Sequence, residues 1–248
     1  MNCLIFALNL HFKIDHGDLH SFLIQLYNAG WLNHQTDQVN QILTKLTKKE
    51  GALYRHNVLI ATLPAGVDEA GRGSAASDIY VGCVMLNPAK PINGLRDSKK
   101  LSARNREALY DEIKEKAWCW SVVSASLEDI KALNVLGATL LAMKKSVEAL
   151  SRQPDRVYID GNHVPPDLPV PATAIIQGDN SIPAIMAASI LAKVDRDRLM
   201  VQWHDQYPEY GFDQHKGYLT RQHMRMLEKY GPCPIHRVTY APIKRLLR

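Results

Sequence analysis

Apolar positions along this chain fall into two distinct registers. Over residues 1–62 they recur at helical spacing: Leu19, Phe22, Leu23, Leu26 and Tyr27, then Val39, Ile42, Leu43 and Leu46 after the capping pair Thr36-Asp37. Two short amphipathic helices are expected there, as a small appendage or a leader, and no chemistry is assigned to them. From Leu63 onward the pattern changes to short runs of apolar and β-branched residues that alternate with helical stretches. Strands are predicted near 63–68, 79–86, 118–125, 156–160 and 172–176, and helices near 102–116, 135–151, 181–201 and 219–229. The first two strands are read as joined by a tight turn. Two consecutive strands followed by alternation predict an α/β fold, a mixed sheet with helices on its faces and a helical C-terminal segment. The domain reading is therefore an N-terminal extension over 1–62 and one α/β domain over 63–248.

Composition narrows the function classes. The chain has 248 residues, 46% hydrophobic and 22% charged, enough for one large core and too apolar for a disordered chain. Its net charge is +5, and from Arg196 to Arg248 ten Lys/Arg stand against five Asp/Glu. The whole basic surplus thus lies in the last fifth of the chain, which suits a polyanionic partner. Cys3, Cys83, Cys119 and Cys233 are far apart with no C-x-x-C spacing, against a zinc site or a disulfide framework and in keeping with a reducing cytoplasm. Met1 to Ile14 is interrupted by Asn9, His11 and Lys13 and is not read as a signal peptide. No run approaches the length of a membrane span.

The chemistry concentrates at strand ends. After the apolar run Leu63–Val67 come two adjacent carboxylates, Asp68 and Glu69, then Gly71, Arg72 and Gly73. Neighbouring side chains in a strand point to opposite faces, so both acids reach one site only if the chain bends. The glycines supply that freedom and let backbone N–H groups approach a phosphate. Gly71, Gly73 and Ala76 also match G-x-G-x-x-A, but the next element reads as a strand and the acids would repel a dinucleotide phosphate, so that reading is rejected. A second predicted strand ends in Asp160, followed by Gly161. A third ends in Gly178-Asp179, where Asp179 taken alone reads better as a helix cap. Acids at three strand ends, Asp68, Glu69, Asp160 and Asp179, would repel one another unless cations neutralise them. Divalent metal at that site, acting on a phosphodiester, is the natural reading. Asp195 and Asp197 are rivals, but they sit late in a predicted helix, with Asp197 at ion-pair spacing from Lys193.

From about Leu63 to Arg248 the chain resembles bacterial ribonuclease HII, the type 2 ribonuclease H family. The matching stretches are GVDEAGRG (66–73), DSKKLS (97–102), YIDGN (158–162), GDNSIPAIMAASILAKVDRDRLM (178–200), YGFDQHKGY (210–218) and HR (236–237). The resemblance implies a ribonuclease H-like fold. It also implies hydrolysis of RNA in RNA–DNA hybrids and cutting 5′ to ribonucleotides embedded in duplex DNA, leaving 3′-hydroxyl and 5′-phosphate ends. A two-metal site of Mg2+ or Mn2+ on Asp68, Glu69, Asp160 and Asp179 follows, and the protein is expected to be a monomer with no membrane partner. For substrate it implies a grip on the ribonucleotide–deoxynucleotide junction by Gly71, Arg72, Gly73 and Tyr218. Lys99 and Lys216 are read either as phosphate contacts or as ordinary surface lysines. Asp195 stands where the family often has threonine. After Gly73 the family usually continues with proline, a bulky apolar residue, alanine and glycine, whereas this chain has Ser74, Ala75, Ala76 and Ser77. Restoring Pro at 74 and Gly at 77 is expected to relieve the turn. The alternative function is a junction-binding protein that cuts weakly because of this loop.

Overall fold

A computed structural model describes residues 63–247, and those from Ala65 onward belong to one compact unit. The two helices expected within 1–62 lie outside the described residues. Five strands form one sheet: β1 (Pro64–Ala70), β2 (Ile79–Met85), β3 (Cys119–Ala125), β4 (Arg156–Asp160) and β5 (Ala172–Ile175), in the spatial order β3-β2-β1-β4-β5. β1 and β2 pair antiparallel, as do β2 and β3, while β4 and β5 run parallel. The sheet is mixed, as the order of elements predicts. β1 lies at its centre, next to β4, so the two strands that end in acids are neighbours.

The helices are α1 (Ala103–Lys116), α2 (Leu127–Glu148), α3 (Pro183–Gln206), α4 (Phe212–His215), α5 (Arg221–Tyr230) and α6 (Ala241–Leu246). Four correspond to the expected helices, with two differences of substance. α2 begins eight residues before its expected start, at a capping box in which the Ser126 hydroxyl accepts from Asp129 N and the Asp129 carboxylate accepts from Ser126 N. It is broken at Asn134, whose φ of 60° and ψ of 174° are not helical, and the Asn134 side chain accepts from the N–H groups of Leu136 and Gly137. That break hides the first turns from a periodicity reading. The connection between β1 and β2 is an eight-residue loop, 71–78, and not a tight turn.

α3 is the helix that fixes the site. It crosses the sheet at two glycines: a Cβ on Gly66 would come within 2.1 Å of the Ala184 backbone, and one on Gly82 within 2.3 Å of the Ala188 carbonyl. Glycine is required there because backbone meets backbone. Ala187 and Ala188 are fully buried in a core that also holds Val84, Ile113, Ile190 and Leu191. The run Ala187-Ala188 is thus a close packing face. A second core gathers Ala75, Ala76, Met200, Tyr210, Phe212, Leu227, Ile235 and Ile243, binding the 71–78 loop to α4, α5 and the C-terminal segment. Among the described residues no helix is long and apolar enough to cross a membrane.

Candidate active site

Asp68 lies in β1 with Gly82 as its register partner, on the face where Gly66 and Gly82 meet α3. Its carboxylate comes together with those of Asp160, the last residue of β4, and Asp179, in a 3₁₀ turn Gly178–Asn180 just before α3. One oxygen from each lies within 4.8 Å of the others. Asp179 is not a helix cap. The N-cap of α3 is Ile182, without a side-chain bond, and Pro183 opens the helix. Instead the Asp179 N–H donates to Asp160 Oδ1 at 3.3 Å, and its carboxylate takes Asn180 Nδ2 at 3.0 Å and faces Lys99 Nζ at 3.6 Å. The rivals are occupied elsewhere: Asp195 accepts from Tyr110 Oη at 2.7 Å and Asp197 pairs with Lys193 at 2.6 Å.

Glu69 takes a different place. The β1–β2 ladder continues unbroken through Ala70, and the Glu69 carboxylate turns to Arg72 while staying within reach of the Asp160 and Lys99 charges. The bend expected between the two acids comes only afterwards, at Gly71, whose φ is +89°. Glu69 is outside the trio of converging aspartates; its Oε1 pairs with Arg72 Nη1 at 3.0 Å. Its Oε2 is buried without a hydrogen-bond partner among the described residues.

The electrostatics follow from crowding buried acids. Burial raises Asp68 well above the ordinary carboxylate range, and the charges of Glu69 and Asp160 push it further. Burial also raises Glu69, with Arg72 opposing, and raises Asp179, aided by Asp160 and Asp97 and opposed by Lys99. At Lys99 burial acts downward, and the neighbouring carboxylates Asp179, Asp68 and Asp97 outweigh it and hold the ammonium above its usual value. Three convergent carboxylates plus an unpartnered buried carboxylate oxygen are a donor set of hard oxygens, the kind that divalent cations take.

The Gly71–Gly73 turn stands beside these acids, held from below by two buried arginines that the sequence reading passed over. Arg196, wholly buried in α3, donates from Nε to Asp78 O at 3.2 Å, from Nη1 to Lys216 O at 3.0 Å and from Nη2 to Ala76 O at 3.2 Å. Arg237 donates to the carbonyls of Ser77, Arg72 and Asp78 at 2.8, 3.0 and 3.3 Å. Burial lowers both guanidiniums, Arg237 to about 10. A Cβ on Gly71 would lie 1.8 Å from Arg196 Nε, so that position must be glycine for the guanidinium to fit beneath it. Tyr218 is 40% exposed, with its ring 3.9 Å from where a Cβ of Gly73 would stand and 5.6 Å from the Arg196 guanidinium. The structure therefore brings Tyr218 to the glycine turn. Lys216 differs: its ammonium folds back to the Asp213 carbonyl, and its own carbonyl accepts from Arg196. Arg196 stands in the charged stretch Lys193-Val-Asp-Arg-Asp-Arg198, so its identity gave no signal of burial, and its target, a loop over a hundred residues away, gave none either.

Ser74 and Ser77 prove to be integrated into the loop. Ser77 has φ 65°, the left-handed conformation for which the family's glycine is suited, and its hydroxyl accepts from Trp203 Nε1 at 3.2 Å. Ser74 is fully buried; its N–H donates to Gly71 O at 3.1 Å, and its hydroxyl donates to Ala76 O and accepts from Ala76 N. The expected gain from proline at 74 is accordingly reversed. Ser74→Pro removes one backbone donor and a buried hydroxyl, and should lower stability by about 1–3 kcal/mol in urea titrations. Ser77→Gly should stay within about 1 kcal/mol of the parent, since relief of the backbone offsets the lost Trp203 bond. A Ser74→Pro variant as stable as the parent would mean that the loop adopts another path.

Comparison with known proteins gives the family and the fold. The sequence model of the family described as ribonuclease HII matches residues 65–243. A ribonuclease HII of Desulforamulus reducens is 59% identical over 185 residues, 75% of this chain and 93% of the relative. One from Idiomarina loihiensis is 54% identical over 182 residues, covering 73% of this chain and 97% of the relative. Among solved structures, the ribonuclease H2 of Pyrococcus horikoshii OT3 superposes with a TM-score of 0.62 at 24% identity, covering 74% of this chain and 96% of that one. A chain of the PCNA:RNase HII complex from Archaeoglobus fulgidus gives 0.63 at 23%, covering 75% and 97%. These two likenesses concern the fold.

Proposed function

From the premise that the chain belongs to the ribonuclease HII family, metal-dependent endoribonucleases acting on RNA–DNA hybrids, we propose how its own residues carry out that reaction. Asp68, Asp160 and Asp179 hold divalent cations, Mg2+ or Mn2+, with Glu69 contributing its free Oε2. The observation that carries this reading is the convergence of three carboxylates within 4.8 Å beside a buried carboxylate oxygen without a partner. The metal, when bound, supplies an activated water and charge neutralisation at the scissile phosphate. Lys99, 3.6 Å from Asp179, places a cation at the rim of the site, where it attracts the phosphate backbone. Arg72 does the same from the other side while holding Glu69 Oε1.

Specificity rests on the loop. Arg196 and Arg237 draw the carbonyls of residues 72, 76, 77 and 78 inward, which sets the path of the Gly71–Gly73 backbone. We propose that this backbone recognises the 2′-hydroxyl of the ribonucleotide, the group that distinguishes RNA from DNA. The Tyr218 ring, half-exposed beside Gly73, then packs against the following deoxyribose. The cut falls 5′ to the ribonucleotide and leaves 3′-hydroxyl and 5′-phosphate ends. On the far side of Arg72 a concavity of about 470 Å³, lined by Lys131, Asn134, Leu136 and Tyr240 among others, extends the surface available to a duplex. The free thiols of Cys83, Cys119 and Cys233 suit a cytoplasmic enzyme.

The direct test is a duplex DNA with one embedded ribonucleotide, labelled at both ends of the cut strand. Cleavage 5′ to that residue is expected, with Mg2+ and Mn2+ titrated separately; tight binding without cleavage would favour a junction-binding protein. Tyr218→Ala should lower cutting of the single-ribonucleotide substrate about tenfold, the worth of roughly 1.4 kcal/mol of lost stacking, with a smaller loss on a continuous hybrid. Equal losses on both substrates would make Tyr218 structural.

A further inference from the structure

Three buried histidines, His215, His223 and His236, lie behind the turn that presents Tyr218. Their fixed partners settle which nitrogen of each ring carries the proton, because a backbone N–H only donates and a carbonyl only accepts. Cys233 N donates to His236 Nδ1 at 2.9 Å, so that nitrogen keeps its lone pair and the neutral ring is protonated on Nε2. His223 Nδ1 faces the Tyr218 carbonyl at 3.0 Å, so it bears the proton and leaves Nε2 as an acceptor. The two Nε2 atoms meet at 3.0 Å with one donor and one acceptor between them. The bonds therefore run one way. Cys233 N–H reaches His236, His236 Nε2–H reaches His223, and His223 Nδ1–H reaches the Tyr218 carbonyl.

His215 is fixed by the same logic, accepting from Gly217 N at 3.2 Å and donating from Nε2 to the Tyr210 carbonyl at 2.7 Å. It stacks on His223 with ring centroids 4.3 Å apart, and Phe212 meets His223 edge-on at 5.5 Å. Burial lowers all three histidines, His223 and His236 to about 4, so the rings are neutral near pH 7, as this set of bonds requires. The Tyr218 main chain is tied at both ends: its N–H donates to His215 O at 3.0 Å, and its carbonyl also accepts from Thr220 N at 2.8 Å. Gly217 O takes Ala75 N at 3.0 Å, which joins this turn to the 71–78 loop. The half-exposed Tyr218 ring thus stands on a main chain anchored in the interior.

We propose that His223, with His236 behind it, is a positioning residue for specificity, fixing the Tyr218 main chain so that the ring meets the deoxyribose after the ribonucleotide. This rests on the reading of Tyr218 as part of the junction grip. Holding a contact group in its bound place from outside saves the cost of ordering it when substrate arrives. The aspartates are carried by β1, β4 and the 178–180 turn, so a fault in the histidine chain falls on the grip and not on the acids.

The test uses two amides that mimic different halves of the imidazole. The amide nitrogen of asparagine stands near the place of Nδ1, and that of glutamine reaches toward the place of Nε2. His223→Asn therefore keeps a donor for the Tyr218 carbonyl, and His223→Gln loses it. The readout is the ratio of kcat/KM on a duplex with one embedded ribonucleotide to kcat/KM on a continuous hybrid; a loss of folded protein lowers both and leaves the ratio alone. In His223→Gln the ratio should fall about three- to tenfold, the worth of one hydrogen bond, through a higher KM on the single-ribonucleotide duplex. In His223→Asn it should stay near the parent. At 236 the order reverses, because there the Nε2 donor matters: His236→Gln should keep the ratio and His236→Asn should lower it. That pair decides the matter should neither variant at 223 fold. Tyr218→Ala is the control. If Tyr218→Ala lowers the ratio while asparagine and glutamine give equal ratios at each histidine, the inference on His223 and His236 is wrong and the grip stands. If Tyr218→Ala leaves the ratio unchanged, the reading of Tyr218 fails and takes this inference with it.

Discussion

Asp68→Asn should unfold at a higher temperature than the parent in metal-free buffer at neutral pH, while cleaving at least ~10²–10³-fold more slowly, the loss expected when several kcal/mol of metal-assisted stabilisation is removed. Burial, and then Glu69 and Asp160, raise the folded-state Asp68 carboxyl above its unfolded value. A carboxyl raised in this way binds protons more readily folded than unfolded. Its effect on stability is harmless below the unfolded value near 3.8 and becomes a penalty as pH rises through the folded value. The asparagine carries no charge and escapes that penalty. The gap in melting temperature between variant and parent should therefore widen from acid toward neutral pH. Mn2+ should close it by stabilising the parent selectively. Thermal melts at several pH values with chelator or Mn2+, alongside a cleavage assay, check both parts. An Asp68→Asn protein that melts below the parent at pH 7 in chelator would contradict the idea that uncompensated acids strain the empty site.

The second large effect is expected at Arg196. Its guanidinium sits fully buried among three carbonyls from two distant segments, with no carboxylate bonded to it among the described residues. Arg196→Met keeps most of the buried stem and removes the donors. The loss is moderated because Ala76 O also accepts from Ser74 Oγ, and Asp78 O from Arg237. Destabilisation of about 2–4 kcal/mol is expected from denaturant titration, since these are charge-assisted bonds in a dry setting. Arg196→Lys should recover little, because one ammonium lacks the planar fork that meets three acceptors. In either variant that remains folded, KM on a ribonucleotide-containing duplex should rise more than kcat falls, as the Gly71–Gly73 turn loses its footing while the aspartates keep theirs. An Arg196→Met protein within 1 kcal/mol of the parent and with unchanged KM would rule out this role.

What could be read along the chain was whatever local pattern controls. The five strands, the long α3 and the position of acids at strand ends follow from periodicity and from the identity of the residue that stops each run. Asp160 ending β4 and Asp179 preceding α3 were legible in this way, as was the helical pairing of Asp197 with Lys193. The strain at Ser77 could be anticipated too, because a serine where the family places glycine implies a backbone angle that its Cβ resists. What the chain order could not decide is which atoms meet. That Asp68 joins Asp160 and Asp179 in one trio while Glu69 pairs with Arg72 beside it is decided by the folded loop. Ser74 reads as a departure from a turn, yet its hydroxyl completes the loop's bonds, which only the packed loop reveals. The Ser98–Ser189 pair spans 91 positions, and the bond from Arg237 to the Arg72 carbonyl spans 165. Hydrogen bonds at such separation leave no periodic trace in a sequence, because they depend on the crossing of α3 over Gly66 and Gly82. That crossing is a property of the folded backbone, and it decides how the acids of this site are held.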